Sequence, residues 1–130
     1  MQTGPVHTDH APAALGPYSQ GYWAGDLFFS AGQVGLDPST GAMVGADVVS
    51  QAERAMANLR AVLDEAGLAF ADVVKTTIFL ADMGDFAAVN EIYAKHVDPP
   101  YPARSTVAVG KLPLGARVEI EMIARSSGGA

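Results

Sequence analysis

DVVKTTIFLAD, residues 72–82, is rich in β-branched side chains and apolar on both parities of the strand period. A strand with one solvated face alternates apolar with polar residues; one that does not alternate is covered on both sides. DLFFSAG (26–32) reads the same way. The fold is decided by what covers those two sides.

Upstream, the period becomes helical. From about Asp47 to Ala66, Val49, Ala52, Met56, Leu59, Leu63 and Ala66 recur at steps of three and four. Glu53, Arg54, Arg60 and Asp64 fall on other faces, and Gly67 is the expected stop. Downstream, Asp85 is placed to cap a second helix through DFAAVNEIYAKHV (85–97), ended by Pro99-Pro100. YSQGYWAGDLFFSAGQV (18–34) reads as two strands joined at Ala24-Gly25-Asp26, where glycine gives a tight connection its backbone freedom. GLDPSTGAM (35–43) is a turn, with Pro38 fixing φ and Gly41 available for positive φ. Two last strands, RSTVAV (104–109) and RVEIEMIA (117–124), are joined by GKLPLGA; RSSGGA (125–130) is a loose tail.

The order β-β-α-β-α-β-β, with room for a short extra strand near residues 3 to 8, predicts an α+β fold in one domain spanning 1–130. One mixed sheet of about six strands carries two helices packed on one face. Two helices cover one side. The other must meet something else, most economically another copy of the chain, so an oligomer is expected.

Composition bounds the chemistry. The 130 residues are 49% hydrophobic and 17% charged, which suits one globular domain. A net charge of −6 opposes general binding to phosphate backbones, so no nucleic-acid partner is expected. The absence of cysteine excludes disulfides, thiolate nucleophiles and Cys-type zinc sites. MQTGPVHTDHAPAALGPY (1–18) has neither a basic nor an apolar leader region, and no apolar run is long enough to span a bilayer. A soluble cytoplasmic protein without a membrane partner is the expectation.

Arg104 opens what otherwise reads as a buried strand, where a guanidinium is costly unless it finds a partner. Alternation sends Arg104, Thr106 and Ala108 one way; Glu119, Glu121 and Ile123 share one face of the last strand. If the last two strands pair as a hairpin, Arg104 and a glutamate lie near each other on one surface. That is either a cross-strand salt bridge or a pocket with a guanidinium to clamp a carboxylate and a glutamate to handle water or protons. Spacing does not choose between Glu119 and Glu121.

Other candidates are weaker. His7, His10 and His96 lack ligand spacing, so no metal site is expected. The glycines of GPYSQG and SAGQVG come without a Walker lysine or a G-x-G-x-x-G. Tyr18 is either a core residue or a catalytic phenol, and Asn90 lies within one turn of Tyr93 on the second helix. Ser30 has no triad arranged around it, and Lys75 reads as a surface residue.

APAALGPYSQG, FSAGQVGLDPSTG, DVVKTTIFLADMGDFAAVNEIYAKHV and YPARSTVAVGKLPLGARVEIEMIA, in this order from about His7 to Arg125, resemble the RidA (YjgF) family. The resemblance implies a chorismate-mutase-like α+β domain assembled as a homotrimer with active clefts between subunits. It implies hydrolysis of reactive 2-imino acids or their 2-enamine tautomers, released by pyridoxal-phosphate enzymes, to 2-oxo acids and ammonia, without cofactor or metal. 2-Iminobutanoate and 2-iminopropanoate are the expected substrates. By the same resemblance Arg104 grips the substrate carboxylate, Glu121 orients or activates water, and Tyr18 bonds substrate or relays a proton. Gly32 permits close approach, while Thr106 and Asn90 contact or wall the substrate. Thr106 stands where many members have cysteine, and Ala31 where several have serine, which bears on substrate preference. The competing expectations are a non-catalytic small-carboxylate-binding or chaperone-like module, and an endoribonuclease or translation inhibitor.

Overall fold

The computed structural model describes residues 2–126. In chain order the elements are β1 (Gln2–Val6), β2 (Gly21–Gly25), β3 (Leu27–Ser30), α1 (Val48–Glu65), β4 (Val73–Leu80), α2 (Phe86–Ala94), β5 (Ala103–Ala108) and β6 (Val118–Arg125). The six strands form one sheet in the order β1-β2-β3-β6-β4-β5. β4 and β5 run parallel, and the other neighbours are antiparallel. This is the predicted mixed sheet, short N-terminal strand included. The tail beyond Ser126 lies outside the described residues.

Local chemistry sets the boundaries. Gly25 turns the β2–β3 hairpin at φ 65. Asp47 starts α1, its Oδ2 accepting the Ser50 N–H at 2.9 Å. Gly67, at φ 76, ends that helix, and the Leu68 N–H returns to the Leu63 carbonyl at 2.8 Å. α1 buries Ala52, Met56, Leu59 and Leu63 as predicted, but the stripe starts at Val48; Val49 is 43% exposed. This face packs on Ile78 and Leu80 of β4 and on Val118, Ile120 and Met122 of β6, the centre of the core. Each such side chain contributes about 1.5–3 kcal/mol by leaving water.

Three expectations fail. β5 and β6 do not pair: β4 lies between them, with Thr76 opposite Arg104 and Thr77 opposite both Ser105 and Glu121. The β4-α2-β5 crossover lays β5 parallel on one side of β4, leaving the other side for antiparallel β6. Asp85 precedes α2 but makes no side-chain cap. Its carboxylate accepts two bonds from Arg117 Nη2, at 2.9 and 3.0 Å, a charged donor displacing a backbone one. α2 itself stops at Ala94, well before the proline pair.

The sheet's second face carries Tyr22, Phe29 and Val107, which are 50%, 39% and 43% exposed. No element among the described residues covers them. Among the described residues, no helix is long and apolar enough to cross a membrane.

Candidate active site

Arg104 sits on edge strand β5 and points to the helix side, in register with buried Thr76 and Met122. α2 builds its seat. The Arg104 Nη1 donates to Asn90 Oδ1 at 2.7 Å, and the guanidinium lies 5.1 Å from the Tyr93 ring centre and 5.7 Å from that of Phe86. Tyr93 is itself fixed by a 3.0 Å bond between its hydroxyl and Thr76 Oγ1. Among the described residues no carboxylate pairs with Arg104. One of the five donors of the fork is engaged by Asn90. Arg104 lines a hollow of about 450 Å³ with Asn90, Tyr93, Val97, Tyr101 and Pro102. Thr106, two residues along on the same face, buries its Oγ1 with no hydrogen-bond partner among the described residues.

The expected acid lies elsewhere. Glu119 and Glu121 alternate with buried Ile120 and Met122, so both point to the open face of the sheet, opposite Arg104. A single chain therefore cannot aim arginine and glutamate at one ligand across its own sheet; the one-surface expectation is corrected, because it assumed the missing hairpin. Glu119 lines a second hollow, of about 540 Å³, with Tyr18, Ala31, Gly32 and Leu114. Glu121 does not line it, since two residues along a strand is a displacement of about 7 Å. The close neighbour of Gly32 is Glu119: a Cβ on that glycine would stand 2.5 Å from Glu119 Oε2. The Gln33 N–H donates to the Ile120 carbonyl at 2.8 Å, and the Ile120 N–H donates to that of Gln33 at 3.0 Å, which locks this register. Burial, with Glu121 nearby as a second cause, pushes the Glu119 carboxyl above the usual carboxylate range.

Tyr18 reaches this hollow from the β1–β2 connection. Its hydroxyl accepts the Leu15 N–H at 3.2 Å, which leaves its own proton free to donate. The loop is held by buried Gln20, whose Oε1 accepts the Thr8 N–H at 2.7 Å and whose Nε2 donates to the Pro12 carbonyl at 2.8 Å. Buried Asn58 does the same for the opposite wall, donating to the carbonyls of Val34 and Leu36 at 3.2 and 2.9 Å. Neither amide was legible as a site support, because a glutamine or asparagine in sequence carries no sign of which backbone it ties.

The remaining candidates have structural duties. Ser30 Oγ accepts the Met122 N–H at 2.9 Å, joining β3 to β6. His7 contacts Asp9, and His96 contacts Glu53 at 3.1 Å between the two helices. Phe86, Tyr101, Leu15 and Leu114 were not anticipated; a phenylalanine or leucine near a pocket looks like any core residue until the chain is folded. What emerges is two half-sites on opposite sheet faces: an arginine fork with a buried hydroxyl, and a glutamate-tyrosine pair over a glycine.

The family model described as Endoribonuclease L-PSP matches residues 8–126. Protein DfrA of Myxococcus xanthus is 54% identical over 123 residues, covering 93% of this chain and 94% of that protein. The Mus musculus protein named 2-iminobutanoate/2-iminopropanoate deaminase is 50% identical over 119 residues, covering 92% of this chain and 88% of its own length. The crystal structure of RidA from the Antarctic bacterium Psychrobacter sp. PAMC 21119 superposes with a TM-score of 0.91 at 41% identity, covering 97% of this chain and 100% of that one. Sheet and helices are those of the chorismate-mutase-like α+β fold of such neighbours. By full-length match in sequence and structure, the chain belongs to the YjgF/RidA family.

Proposed function

We propose that the protein hydrolyses reactive 2-imino acids, and their 2-enamine tautomers, to 2-oxo acids and ammonia, at clefts formed between copies of the chain. The observation that carries this reading is the separation of the half-sites: Arg104 and Glu119 point from opposite faces of one sheet. They can meet one ligand only if a neighbour supplies the second half. The exposed Tyr22, Phe29 and Val107 give that neighbour an apolar face to cover, in support of the homotrimer the resemblance implies. Relatives at about half identity carry deaminase names, which supports a catalytic role.

The reaction uses the groups as follows. A 2-imino acid carries a carboxylate beside a C=N bond. The Arg104 fork takes the carboxylate in two parallel N–H···O bonds and fixes the imine carbon. Water adds to that carbon as Glu119, not Glu121, accepts its proton; a carboxylate of raised pKa is a better base for the purpose. The Tyr18 hydroxyl donates to the nitrogen to give a carbinolamine. Glu119 then passes its proton to that nitrogen as the C–N bond breaks, the new hydroxyl returns its proton to the Tyr18 phenolate as it becomes the carbonyl, and ammonia leaves. Gly32 keeps the glutamate and substrate in contact range. RNA cleavage is not favoured at a net charge of −6.

The test generates imines in situ with an amino-acid oxidase and follows their decay. Wild type should accelerate 2-oxo acid release, and Arg104→Ala should lower kcat/KM by about 100-fold or more, the scale of losing a charged, bidentate anchor. An unchanged rate in that variant removes the mechanism. Tight 2-oxo acid binding without turnover in wild type would make the protein a binding module instead.

A further inference from the structure

Leu114 adopts φ 58 and ψ 26, in the left-handed region where glycine or asparagine is the easier residue. The next residue, Gly115, is a glycine at φ 68. The turn thus keeps a leucine side chain at a position whose backbone disfavours it. That side chain is not a core residue: it is 64% exposed, and with Leu15 at 73% it stands on the rim of the Glu119 hollow. Val34 and Leu36 continue the same apolar wall inward. The hollow is therefore lined by a phenol and a carboxylate together with an apolar rim to which two largely exposed leucines contribute.

Resting on the deaminase reading, we propose that Leu114, with Leu15, selects 2-imino acids bearing a branched apolar side chain over the smallest ones. The imine group meets Glu119 and Tyr18, the substrate carboxylate is held by the Arg104 fork of the neighbouring copy, and the substrate's alkyl group lies against the leucine rim. An apolar pocket discriminates by about 10- to 200-fold per methylene when it encloses the group. A rim this exposed belongs at the low end of that scale.

The experiment compares wild type with Leu114→Gly and Leu114→Asn, both of which suit a left-handed backbone and relax the turn. The first reading is the ratio of kcat/KM for the imines made from leucine and from alanine. The second is the ratio of affinities for 4-methyl-2-oxopentanoate and pyruvate, by calorimetry. Wild type should favour the branched member in both, and the variants should lose about tenfold of that preference. Identical ratios in wild type and variants overturn the proposal. If wild type turns over neither imine yet the affinity ratio collapses in the variants, the rim selects as proposed and the deaminase reading is what fails.

Discussion

Glu119 holds its carboxyl in a partly enclosed hollow, and the consequence is a pH dependence of definite sign. Its pKa is raised in the folded chain, by burial first and by Glu121 second. In its proposed role as base it works only when ionised, so the acidic limb of the rate profile should fall above the ordinary glutamate range. Glu119→Gln should lower kcat by about 100-fold and abolish that limb. Stability runs the other way. A group whose folded pKa is raised stabilises fully below its unfolded pKa and loses that contribution as pH rises through the folded value. Melting curves of Glu119→Gln should therefore match or exceed wild type at pH 8 and gain nothing at pH 4. A variant less stable at pH 8 than at pH 4, relative to wild type, contradicts the desolvation account. Arg104 obeys different physics: its charge is permanent, and two aromatic faces and one amide oxygen hold it ready without neutralising it.

At the scale of elements, Arg117 fastens the ends of three of them. Its Nη2 donates to both oxygens of Asp85 before α2, and its backbone N–H donates to Gln51 Oε1 of α1 at 2.8 Å. Its carbonyl accepts the Ala81 N–H at the end of β4 at 3.0 Å. α2 carries the seat of Arg104 and β6 carries Glu119, so this clamp aligns both half-sites. Arg117→Ala should cost about 2 kcal/mol of unfolding free energy, the scale of lost bonds to a charged group. Chemical denaturation would measure it, and a loss within 0.5 kcal/mol, about that of an ordinary surface change, would show that the clamp carries no weight. The capping role expected for Asp85 was a sound local inference. It failed because a guanidinium 32 positions later in the chain competes for the same carboxylate.

For the whole molecule, the proposed composite cleft makes a prediction that no single-chain site shares. Arg104→Ala and Glu119→Gln should each be inactive, yet assembled together at equal amounts they should recover about a quarter of wild-type activity. Random assembly pairs an intact arginine with an intact glutamate at about one cleft in four. Recovery no greater than the sum of the two homogeneous variants would place both groups' work within one chain. Phe29→Asp, on the open sheet face, should lower the assembly state in sedimentation and remove activity with it. A fully assembled Phe29→Asp protein would show that this face is not the contact.

Most of the fold was legible because its signals are local and periodic. The apolar strand at 72–82, the α1 stripe, Gly25 and Gly67 each act through their own backbone or nearest turn. Candidate side chains were legible as types: an arginine opening a strand, glutamates on one face, a glycine beside Gln33. The strand around Arg104, expected to be buried, is instead the exposed sheet edge β5, because no further strand among the described residues pairs beyond it. The tertiary structure alone decided which of them meet. It set β4 between β5 and β6, which turned Arg104 away from both glutamates, and it bridged Gln33 to Ile120, which brought Glu119 to Gly32. Strand order and register arise from contacts between distant segments competing for one sheet, and such competition leaves no periodic trace in the chain.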